Sequence, residues 1–266
     1  MKISIIIPSF NDKRIIRTVK SILAQDFDRD KFEIIIMDGG SDNNSFASTF
    51  NFLENNCNLV ISKKDKGIFD GLNKGIEIVK GELVFMIGSD DYLISPDVFT
   101  RAFKEYENNN HLIIFELFYV NQKDQIERHW SMPKNLKSVP PYFQLPHFST
   151  FVSKELIGDT RFKLDSFISA DFGFFKDLIK KKKSCSIINT PSICMTSGGQ
   201  SSKNLLNILK GNLQSLKEFN FNPYLILMFL VHKIFTKTKH FASMRFNKKQ
   251  KNKFQNKINL FLDSIN

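Results

Sequence analysis

The chain has 266 residues, of which 42% are hydrophobic, and this is enough for one large α/β domain with a sizeable core. Its formal charge of +11 is uneven, because nine Lys and Arg face one acid from residue 219 onward, which leaves +3 for the first 218 residues. The three scattered cysteines show no CxxC spacing, which argues against a zinc site or a disulfide framework and fits a reducing cytoplasm. No recognised nucleic-acid-binding motif accompanies the basic tail, which argues against a nucleic-acid partner.

The first ninety residues alternate short β-branched apolar runs with segments of helical periodicity. The runs predict buried parallel strands, and the segments between them predict helices. In chain order we expect strands over 3–7, 32–38, 58–62 and 82–87, and helices over 12–25, 42–56 and 67–81, the last ending at Gly81. This pattern predicts a doubly wound sheet that binds its ligand beyond the carboxyl ends of the strands. A GxGxxG motif is absent after the first strand, which argues against NAD or FAD.

The second half of the chain predicts shorter and less regular elements. Ser95, Pro96 and Asp97 have the composition of a helix start. Further along we expect a hairpin from 111–120 and 125–130, a helix over 169–181, short strands over 184–189 and 192–195, a flexible loop over 196–202, and three helical stretches to the end.

Polar side chains collect where the predicted strands end. The first strand runs into Pro8, Ser9 and Asn11, the second ends at Asp38, and the fourth ends in Gly88-Ser89-Asp90-Asp91. Adjacent carboxylates repel each other unless a cation lies between them and a ligand, and a divalent metal takes carboxylate oxygens readily. The aspartate pair therefore predicts a metal or ligand site, and a solvated turn stays open as the alternative.

Five segments, taken in order, resemble the inverting nucleotide-sugar glycosyltransferases of family 2, which have the GT-A fold. The resemblance is strongest to bacterial members that build surface polysaccharides. The segments are SIIIPSFND, IIIMDGGSDN, DKGIFDGLNKGIEIVKGELVFMIGSDD, PHFSTFVSKEL and TSGGQSS. The resemblance implies a GT-A (Rossmann-like) catalytic domain over 1–202, with a donor half at 1–95 and an acceptor half at 96–202, followed by a basic, partly apolar helical tail at 203–266. The sequence departs from the family pattern at Leu72, Gly88 and Ala170, where relatives often carry Arg, Asp and Glu.

The same resemblance implies a role for each polar position. Asp90 is expected to ligate Mg²⁺ or Mn²⁺, with Asp91 as a second ligand or a ribose contact, and Asp38 is expected to contact the nucleobase. Asp171 is the expected general base. An Asx-turn is the alternative for Asp38, and a charge that stabilises a helix N-terminus is the alternative for Asp171. The other expected donor contacts are Pro8, Ser9, Asn11, Asp70, Asn73 and Ser89, and the expected diphosphate or acceptor contacts are His147, Gly198, Gly199 and Ser201.

His147 could equally be a structural, hydrogen-bonded histidine, and the glycine-rich loop could be a simple linker. The expected donor is a nucleoside-diphosphate sugar, with a UDP-sugar favoured, and the expected acceptor is a glycan or a lipid-linked glycan. A catalytically silent nucleotide-sugar-binding protein is the second hypothesis, suggested by Gly88 and Leu72.

The basic tail predicts a location at a membrane surface. Phe254, Ile258, Phe261 and Leu262 form an apolar stripe at helical spacing, with lysines turned away from it. A basic amphipathic helix is typical of a membrane-surface element, and packing on the catalytic body is the alternative. We therefore expect a cytoplasmic protein that is peripheral at the inner face of the plasma membrane.

Overall fold

The computed structural model describes residues 1–134, 136, 144–165, 170–198, 224 and 248–265. The strands are β1 (Ile3–Ser9), β2 (Phe32–Asp38), β3 (Leu59–Ser62), β4 (Leu83–Met86), β5 (Tyr92–Leu93), β6 (Leu112–Val120), β7 (Ile126–Trp130), β8 (Thr150–Ser153) and β9 (Cys185–Thr196). The helices are α1 (Ile15–Leu23), α2 (Asn43–Asn56), α3 (Ile68–Ile78), α4 (Val98–Glu107), α5 (Lys154–Ile157), α6 (Ala170–Lys180) and α7 (Lys248–Ile265).

The described strands form one mixed sheet in the order β3-β2-β1-β4-β8-β6-β9-β5, and β7 pairs with β6. The first half of the chain supplies the parallel part, in which β1 lies between β2 and β4 and β2 pairs with β3. The second half adds β8 antiparallel to β4 and to β6. This arrangement aligns the carboxyl ends of β1, β2 and β4 at one edge, where the sequence predicts the ligand site.

Helices cover both faces of the parallel strands, and the alternation of side chains in β1 shows why. Ile3, Ile5 and Ile7 face a core that includes residues of α1, α2 and α4. Ile6 faces the opposite core, which includes residues of α3, α5 and α6. Both faces of the strand are therefore buried, which explains its continuous apolar run. A strand with one face in solvent would alternate apolar and polar residues.

The predicted elements of the first half are confirmed to within a few residues, and the third helix shows a difference at its end. The helix predicted to end at Gly81 ends at Ile78 instead, because Val79 is already extended. Gly81 has a different role, since a Cβ there would lie 2.5 Å from the backbone nitrogen of Ser4. The glycine allows close backbone approach and is not a helix cap.

In the second half, the hairpin of β6 and β7 is confirmed, and α6 lies within one residue of its predicted bounds. α4 begins at Val98, and the hydroxyl of Ser95 bonds to the side chain of Asp97 instead of capping a backbone N–H. The two short strands predicted around Pro191 are one strand, β9. A register shift against β6 between Phe115 and Leu117 accommodates the interruption.

The C-terminal helix α7 packs on the far edge of the sheet. Its stripe residues Phe254, Ile258 and Leu262 join a core cluster that contains Tyr92 and Phe118. The packing alternative therefore describes this stripe. None of the helices in the described part of the chain combines the length and the apolar character that crossing a membrane requires.

Candidate active site

The turn that follows β4 carries the aspartate pair, and two threonines hold its backbone. The hydroxyl of Thr18 on α1 lies 2.9 Å from the carbonyl oxygen of Ser89 and 2.6 Å from that of Asp91. The hydroxyl of Thr196, at the end of β9, donates to the carbonyl oxygen of Asp90 at 2.6 Å. The turn is thus fixed by a helix residue and a strand residue that are both distant in sequence, and its two carboxylates have a defined position.

Asp91 is the more deeply buried of the two aspartates in this turn. Its residue is 1% exposed, and its Oδ1 accepts the backbone N–H of Thr196 at 3.0 Å. Its Oδ2 is buried and accepts no hydrogen bond of good geometry from the described residues. Burial, followed by the neighbouring charge of Asp90, raises the pKa of Asp91 well above its ordinary value, and the backbone N–H of Gly88 lies only close enough to lower that pKa slightly against the rise. A buried carboxylate oxygen without a donor is an incomplete arrangement that a cation would complete.

Asp90 lies beside it and is more accessible, with a side chain that is 20% exposed. Burial raises the pKa of Asp90, and the nearby Arg14 guanidinium opposes that rise. The Arg14 Nη1 atom lies 3.2 Å from Asp90 Oδ2. The same guanidinium also binds both carboxylate oxygens of Asp12, each at 2.8 Å. A positive charge is therefore already part of the arrangement around Asp90.

Gly88 explains how two adjacent aspartates can converge. A Cβ on Gly88 would lie 2.7 Å from Asp91 Oδ2 and 3.3 Å from Asp90 Oδ1. The bare α-carbon therefore leaves the space into which both carboxylates project. A side chain at this position would occupy that space.

These residues fit a divalent cation. Among the described residues no group of three or more His, Cys, Asp and Glu side chains is placed to enclose a metal. Mg²⁺ commonly binds through one or two carboxylates and completes its coordination with water and substrate phosphates. The pair Asp90 and Asp91, with the unpartnered Oδ2 of Asp91, matches that kind of site.

The acid at the end of β2 has a different environment. Asp38 Oδ2 accepts the backbone N–H of Gly40 at 3.1 Å, the N–H of Ser41 at 2.8 Å and the hydroxyl of Ser62 at 2.7 Å. The hydroxyl of Ser41 binds Oδ1. The carboxylate thus stabilises its own turn, as the Asx-turn alternative states, and a contact to a nucleobase stays a prediction.

A cavity of about 290 Å³ opens beside Asp38, and its lining includes Asp65, Gly71 and Lys74. Asp65 was not singled out by the sequence, yet its Oδ1 lies 3.1 Å from the position of a Cβ on Gly39. Its Oδ1 also accepts the N–H of Gly67 at 2.8 Å. Glycines at 39 and 71 therefore make room for this carboxylate at the edge of the cavity.

The end of β1 is joined to the end of β2. Asn11 adopts a left-handed backbone with φ of 50°, donates its N–H to the Ser41 hydroxyl at 2.7 Å and accepts the N–H of Asp42 at 3.1 Å. Pro8 is buried within β1. Ser9 is buried too, and its hydroxyl has no partner in the described part of the chain. Asn11 therefore fixes the shape of this edge, and contacts from all three to a donor stay predictions.

Three other predicted donor contacts have partners within the protein. Asp70 pairs with Lys74 at 2.8 Å and accepts the N–H of Lys66 at 3.0 Å. Asn73 makes two hydrogen bonds of 2.8 Å with the backbone of Phe162, which ties α3 to the second half of the chain. Ser89 donates its hydroxyl to Asp12 Oδ2 at 3.1 Å. Their roles toward a donor are not tested by these contacts.

Asp171 lies in the first turn of α6 and is partly buried. Its Oδ1 accepts the N–H of Phe172 at 2.8 Å, and its Oδ2 accepts the side-chain amide of Gln144 at 3.0 Å. Gln144 fixes the carboxylate in one orientation, which suits a group that must meet a proton at a defined place. The same position also stabilises the helix N-terminus.

His147 is enclosed by aromatic rings and is 8% exposed. Its ring stacks on Phe148 at 4.3 Å between centroids and lies 5.2 Å from the ring of Phe162. Burial lowers the pKa of His147 to about 3, so the imidazole is neutral at physiological pH. Its buried Nε2 has no hydrogen-bond partner among the described residues. This nitrogen therefore does not match the alternative of a structural, hydrogen-bonded histidine.

The remaining predicted positions lie in the loop after β9. Gly198 is exposed and has a left-handed φ of 98°. Gly199 and Ser201 lie outside the described residues, as does most of the tail between 203 and 247. The residues that sequence reasoning did not single out are Thr18, Arg14, Asp65 and, within the loop segment, Thr196. Thr18 and Thr196 act on partners far along the chain, and Arg14 and Asp65 each add a contact with a distant segment to a local one, so no local pattern marks them.

Comparison with known sequences identifies the family. Residues 4–179 match the family model described as Glycosyl transferase family 2. The chain is 30% identical over 122 residues to the uncharacterized glycosyltransferase YfnE of Bacillus subtilis, which covers 45% of this chain and 30% of that protein. It is 30% identical over 176 residues to the uncharacterized glycosyltransferase Rv1514c of Mycobacterium tuberculosis, and the match covers 65% of this chain and 66% of that protein. The matched part is less than two thirds of the length of either relative.

Solved structures share the architecture. TarS 1–349 of S. aureus superposes with a TM-score of 0.66 at 19% identity, over 100% of this chain and 81% of that one. The mannosyltransferase PcManGT of Pyrobaculum calidifontis, in complex with GDP-Man and Mn²⁺, superposes with a TM-score of 0.61 at 13% identity, over 99% and 85%. At these identities the likeness concerns the fold, and it confirms the predicted fold class. Because the family model spans well over half of the chain, we conclude that this protein belongs to glycosyl transferase family 2 and has the GT-A fold.

Proposed function

We propose that the protein transfers a sugar from a nucleoside-diphosphate sugar to a hydroxyl group of a glycan or lipid-linked acceptor, with inversion at the anomeric carbon. The observation that carries this proposal is the convergence of Asp90 and Asp91 over Gly88, with one buried oxygen of Asp91 unpartnered. The arrangement lies beyond the carboxyl end of β4, where α/β folds bind ligands.

The donor class is supported by the structural neighbours. TarS has been solved with UDP-GlcNAc and with UDP, and PcManGT with GDP-Man. The cavity beside Asp38 and Asp65 lies at the ends of β2 and β3, at the same edge of the sheet as the Asp90 turn. We infer that the nucleoside occupies this cavity and that the diphosphate extends toward Asp90, with UDP as the favoured nucleotide.

Asp90 and Asp91 would hold the metal, which supplies Lewis-acid stabilisation of the departing diphosphate when it is bound. Thr18 and Thr196 keep the two carboxylates in position through the turn backbone. The fixed placement matters because positioning contributes a large part of the rate in transfer reactions.

Asp171 would act as the general base. The acceptor oxygen forms a bond to the anomeric carbon, the bond from that carbon to the diphosphate oxygen breaks, and the hydroxyl proton moves to the Asp171 carboxylate. Gln144 holds that carboxylate at 3.0 Å. Asp171→Asn keeps the shape without the ability to take a proton, and we expect a loss of ~10²–10⁴ in kcat with donor affinity unchanged. A variant with near-normal kcat would place the base elsewhere.

We test the donor class by thermal unfolding with a panel of UDP-, GDP- and dTDP-sugars, each with Mn²⁺ or with EDTA. The proposal expects one nucleotide to raise Tm only when metal is present, because a ligand that binds the native state stabilises it. Product formation with a lipid-linked acceptor then separates an enzyme from a silent nucleotide-sugar-binding protein. Donor-dependent stabilisation without turnover on any acceptor would favour the silent protein.

We also propose a cytoplasmic enzyme that binds the inner face of the plasma membrane during surface-polysaccharide synthesis. The support is the basic excess after residue 219, since each Lys or Arg near an anionic surface contributes about 1 kcal/mol. The apolar stripe of α7 is used in packing, so attachment would depend on charge and on segments other than this stripe. Sedimentation with anionic liposomes at low and high salt tests this, and full-length protein that stays in the supernatant at low salt would contradict it.

A further inference from the structure

Arg14 joins two segments that meet at the candidate metal site. Its Nε and Nη2 atoms lie 2.8 Å from the two oxygens of Asp12, and its Nη1 lies 3.2 Å from Asp90 Oδ2. Asp12 also accepts the Arg14 backbone N–H at 3.1 Å and the Ser89 hydroxyl at 3.1 Å. A guanidinium is thus held firmly by Asp12 and reaches Asp90 with its remaining nitrogen.

We propose that Arg14 is the resident counter-cation of Asp90, that binding of the divalent metal displaces it from Asp90, and that its freed nitrogen then binds the diphosphate of the donor. This inference rests on the proposed function, because it assumes a metal at Asp90 and Asp91. It goes further because Arg14 then has two successive partners, first the Asp90 carboxylate and then the diphosphate of the donor.

Charge is the reason that the two cations exclude each other. A divalent ion on the Asp90 carboxylate and a guanidinium nitrogen 3.2 Å from the Oδ2 atom of that carboxylate would be like charges in close contact, which repel strongly where water is partly excluded. Arg14 can move because its side chain is 49% exposed. The guanidinium is planar and rigid, so Nη1 leaves Asp90 only when the whole group shifts, and the Asp12 carboxylate has to shift with it to keep its two contacts.

The position of Asp12 limits where the freed group can go. The guanidinium stays at the start of α1, beside the turn that carries Asp90, as long as its two bonds to Asp12 persist. Arginine binds phosphate oxygens through charge-assisted hydrogen bonds of defined geometry. A diphosphate bound at this site would therefore meet the same side chain.

Other cations at this edge have different environments. Arg17 pairs with Asp124 at 2.8 Å, stacks over the ring of Tyr92 at 4.2 Å, and reaches the backbone carbonyl oxygen of Asp90, not its carboxylate, at 3.4 Å. Lys13 precedes Arg14 and is exposed, and it carries the same charge one residue away. Of the ion pairs within the described ranges, the one that reaches Asp90 comes from Arg14.

The inference has a measurable consequence for cooperativity. Metal alone has to displace Arg14 without compensation, whereas metal with nucleotide offers Arg14 a new partner. The nucleotide should therefore increase metal affinity in the natural protein, and this coupling should depend on Arg14, since coupling between two ligands is reciprocal.

The test compares Arg14→Gln with Lys13→Gln, which removes the same charge from the adjacent residue. We would measure the Kd of Mn²⁺ by calorimetry for each protein, without and with UDP. For Arg14→Gln we expect Mn²⁺ alone to bind about two- to fivefold more tightly, the range of a partly exposed ion pair, and the increase in affinity caused by UDP to shrink. Lys13→Gln should match the natural protein in both measurements.

Arg14→Lys keeps the charge but lacks the planar fork. We expect this variant to retain weak binding of Mn²⁺ alone and to lose part of the UDP-dependent increase. Thermal unfolding in EDTA shows that each variant is folded. If Arg14→Gln fails to fold, Arg14→Lys decides the question through the UDP-dependent increase alone.

The possible failures are distinguishable. If the natural protein binds Mn²⁺ with UDP but Arg14→Gln shows unchanged or weaker binding of Mn²⁺ alone, the displacement is wrong while the metal site stands. If the natural protein does not bind Mn²⁺ with UDP, GDP or dTDP, the metal site of the proposed function is wrong and this inference falls with it.

Discussion

Two strand ends at the same edge of the sheet each present a buried aspartate, and they differ in how their oxygens are used. Asp38 receives two backbone N–H groups and two hydroxyls from its own chain. Asp91 receives the N–H of Thr196 on one oxygen and has no described partner on the other. A carboxylate saturated by its own turn acts as structure, whereas one left incomplete in a buried position indicates a ligand.

The largest expected effect comes from removing one carboxylate of the Asp90 and Asp91 pair. Asp90→Ala should abolish Mn²⁺-dependent stabilisation by the donor and reduce turnover by more than the 10–100-fold typical of losing a residue that only supports a metal ligand. The protein should stay folded, because Asp90 contributes its backbone carbonyl to Thr196 whatever its side chain. Tm with and without Mn²⁺, and product formation, check both points. Wild-type turnover of the variant in EDTA would contradict the metal assignment.

The second prediction concerns Asp38, whose carboxylate oxygens are both hydrogen-bonded within the protein. Asp38→Ala removes the acceptor for the N–H groups of Gly40 and Ser41 and for the hydroxyl of Ser62. We expect the free energy of unfolding to fall by about 2–4 kcal/mol, since leaving buried donors unsatisfied costs about 1–3 kcal/mol each before water or relaxation compensates. Urea unfolding measures this change. A variant of normal stability that has lost UDP affinity would show instead that Asp38 contacts the nucleobase.

The third prediction tests the space that lets the aspartates converge. Gly88→Ala places a Cβ 2.7 Å from Asp91 Oδ2, so the carboxylate or the turn has to shift. We expect Mn²⁺ affinity to fall by about 10–100-fold, the effect of disturbing the support of a metal ligand.

Gly173→Ala is the matched control, because nothing lies within 4 Å of a Cβ at that position in α6. It should leave Mn²⁺ affinity unchanged and raise stability by about 0.5–1 kcal/mol, as expected for replacing glycine in a helix interior. Equal Mn²⁺ affinity in the Gly88 and Gly173 variants would mean that the metal binds elsewhere.

Gly88 also shows what the sequence could and could not predict. The strand ends and the aspartate pair were predictable, because apolar runs and their polar terminations are local signals. At Gly88 the family resemblance implied an acid, and only the geometry shows that a Cβ there would lie 2.7 Å from Asp91 Oδ2. Thr18 and Thr196 lie 73 and 105 residues from Asp91 along the chain, so no local pattern connects them to the turn.

The second half of the chain was predicted less well for a related reason. Pro191 interrupts an apolar run and favours a break between two short strands. The strand continues because its partner β6 absorbs the interruption as a register shift between Phe115 and Leu117. The environment of Asp171 likewise depends on Gln144, which precedes it in a segment without helical or strand periodicity.

The prediction with the smallest expected effect concerns His147. It tests whether every buried polar atom without a partner indicates a ligand. His147 Nε2 is such an atom, but the ring is neutral, so leaving it unpartnered costs far less than for a carboxylate. Burial lowers the pKa of His147 to about 3 from 6.5. The unfolded chain therefore binds a proton that the native state refuses, and stability falls as pH drops from about 6.5 toward 3. At pH 5 this amounts to about 2 kcal/mol, since each pKa unit corresponds to about 1.4 kcal/mol.

His147→Gln removes the titrating group while keeping a polar side chain in the aromatic enclosure. We expect the difference in unfolding free energy between pH 7 and pH 5 to be about 2 kcal/mol smaller in this variant than in the natural protein, as measured by urea unfolding in EDTA at both pH values. Donor affinity at pH 7 should be unchanged if the ring only packs against Phe148 and Phe162. A loss of donor or acceptor affinity at pH 7 with an unaltered pH dependence of stability would place the Nε2 atom in the binding site, and would extend the rule drawn from Asp91 to a neutral side chain.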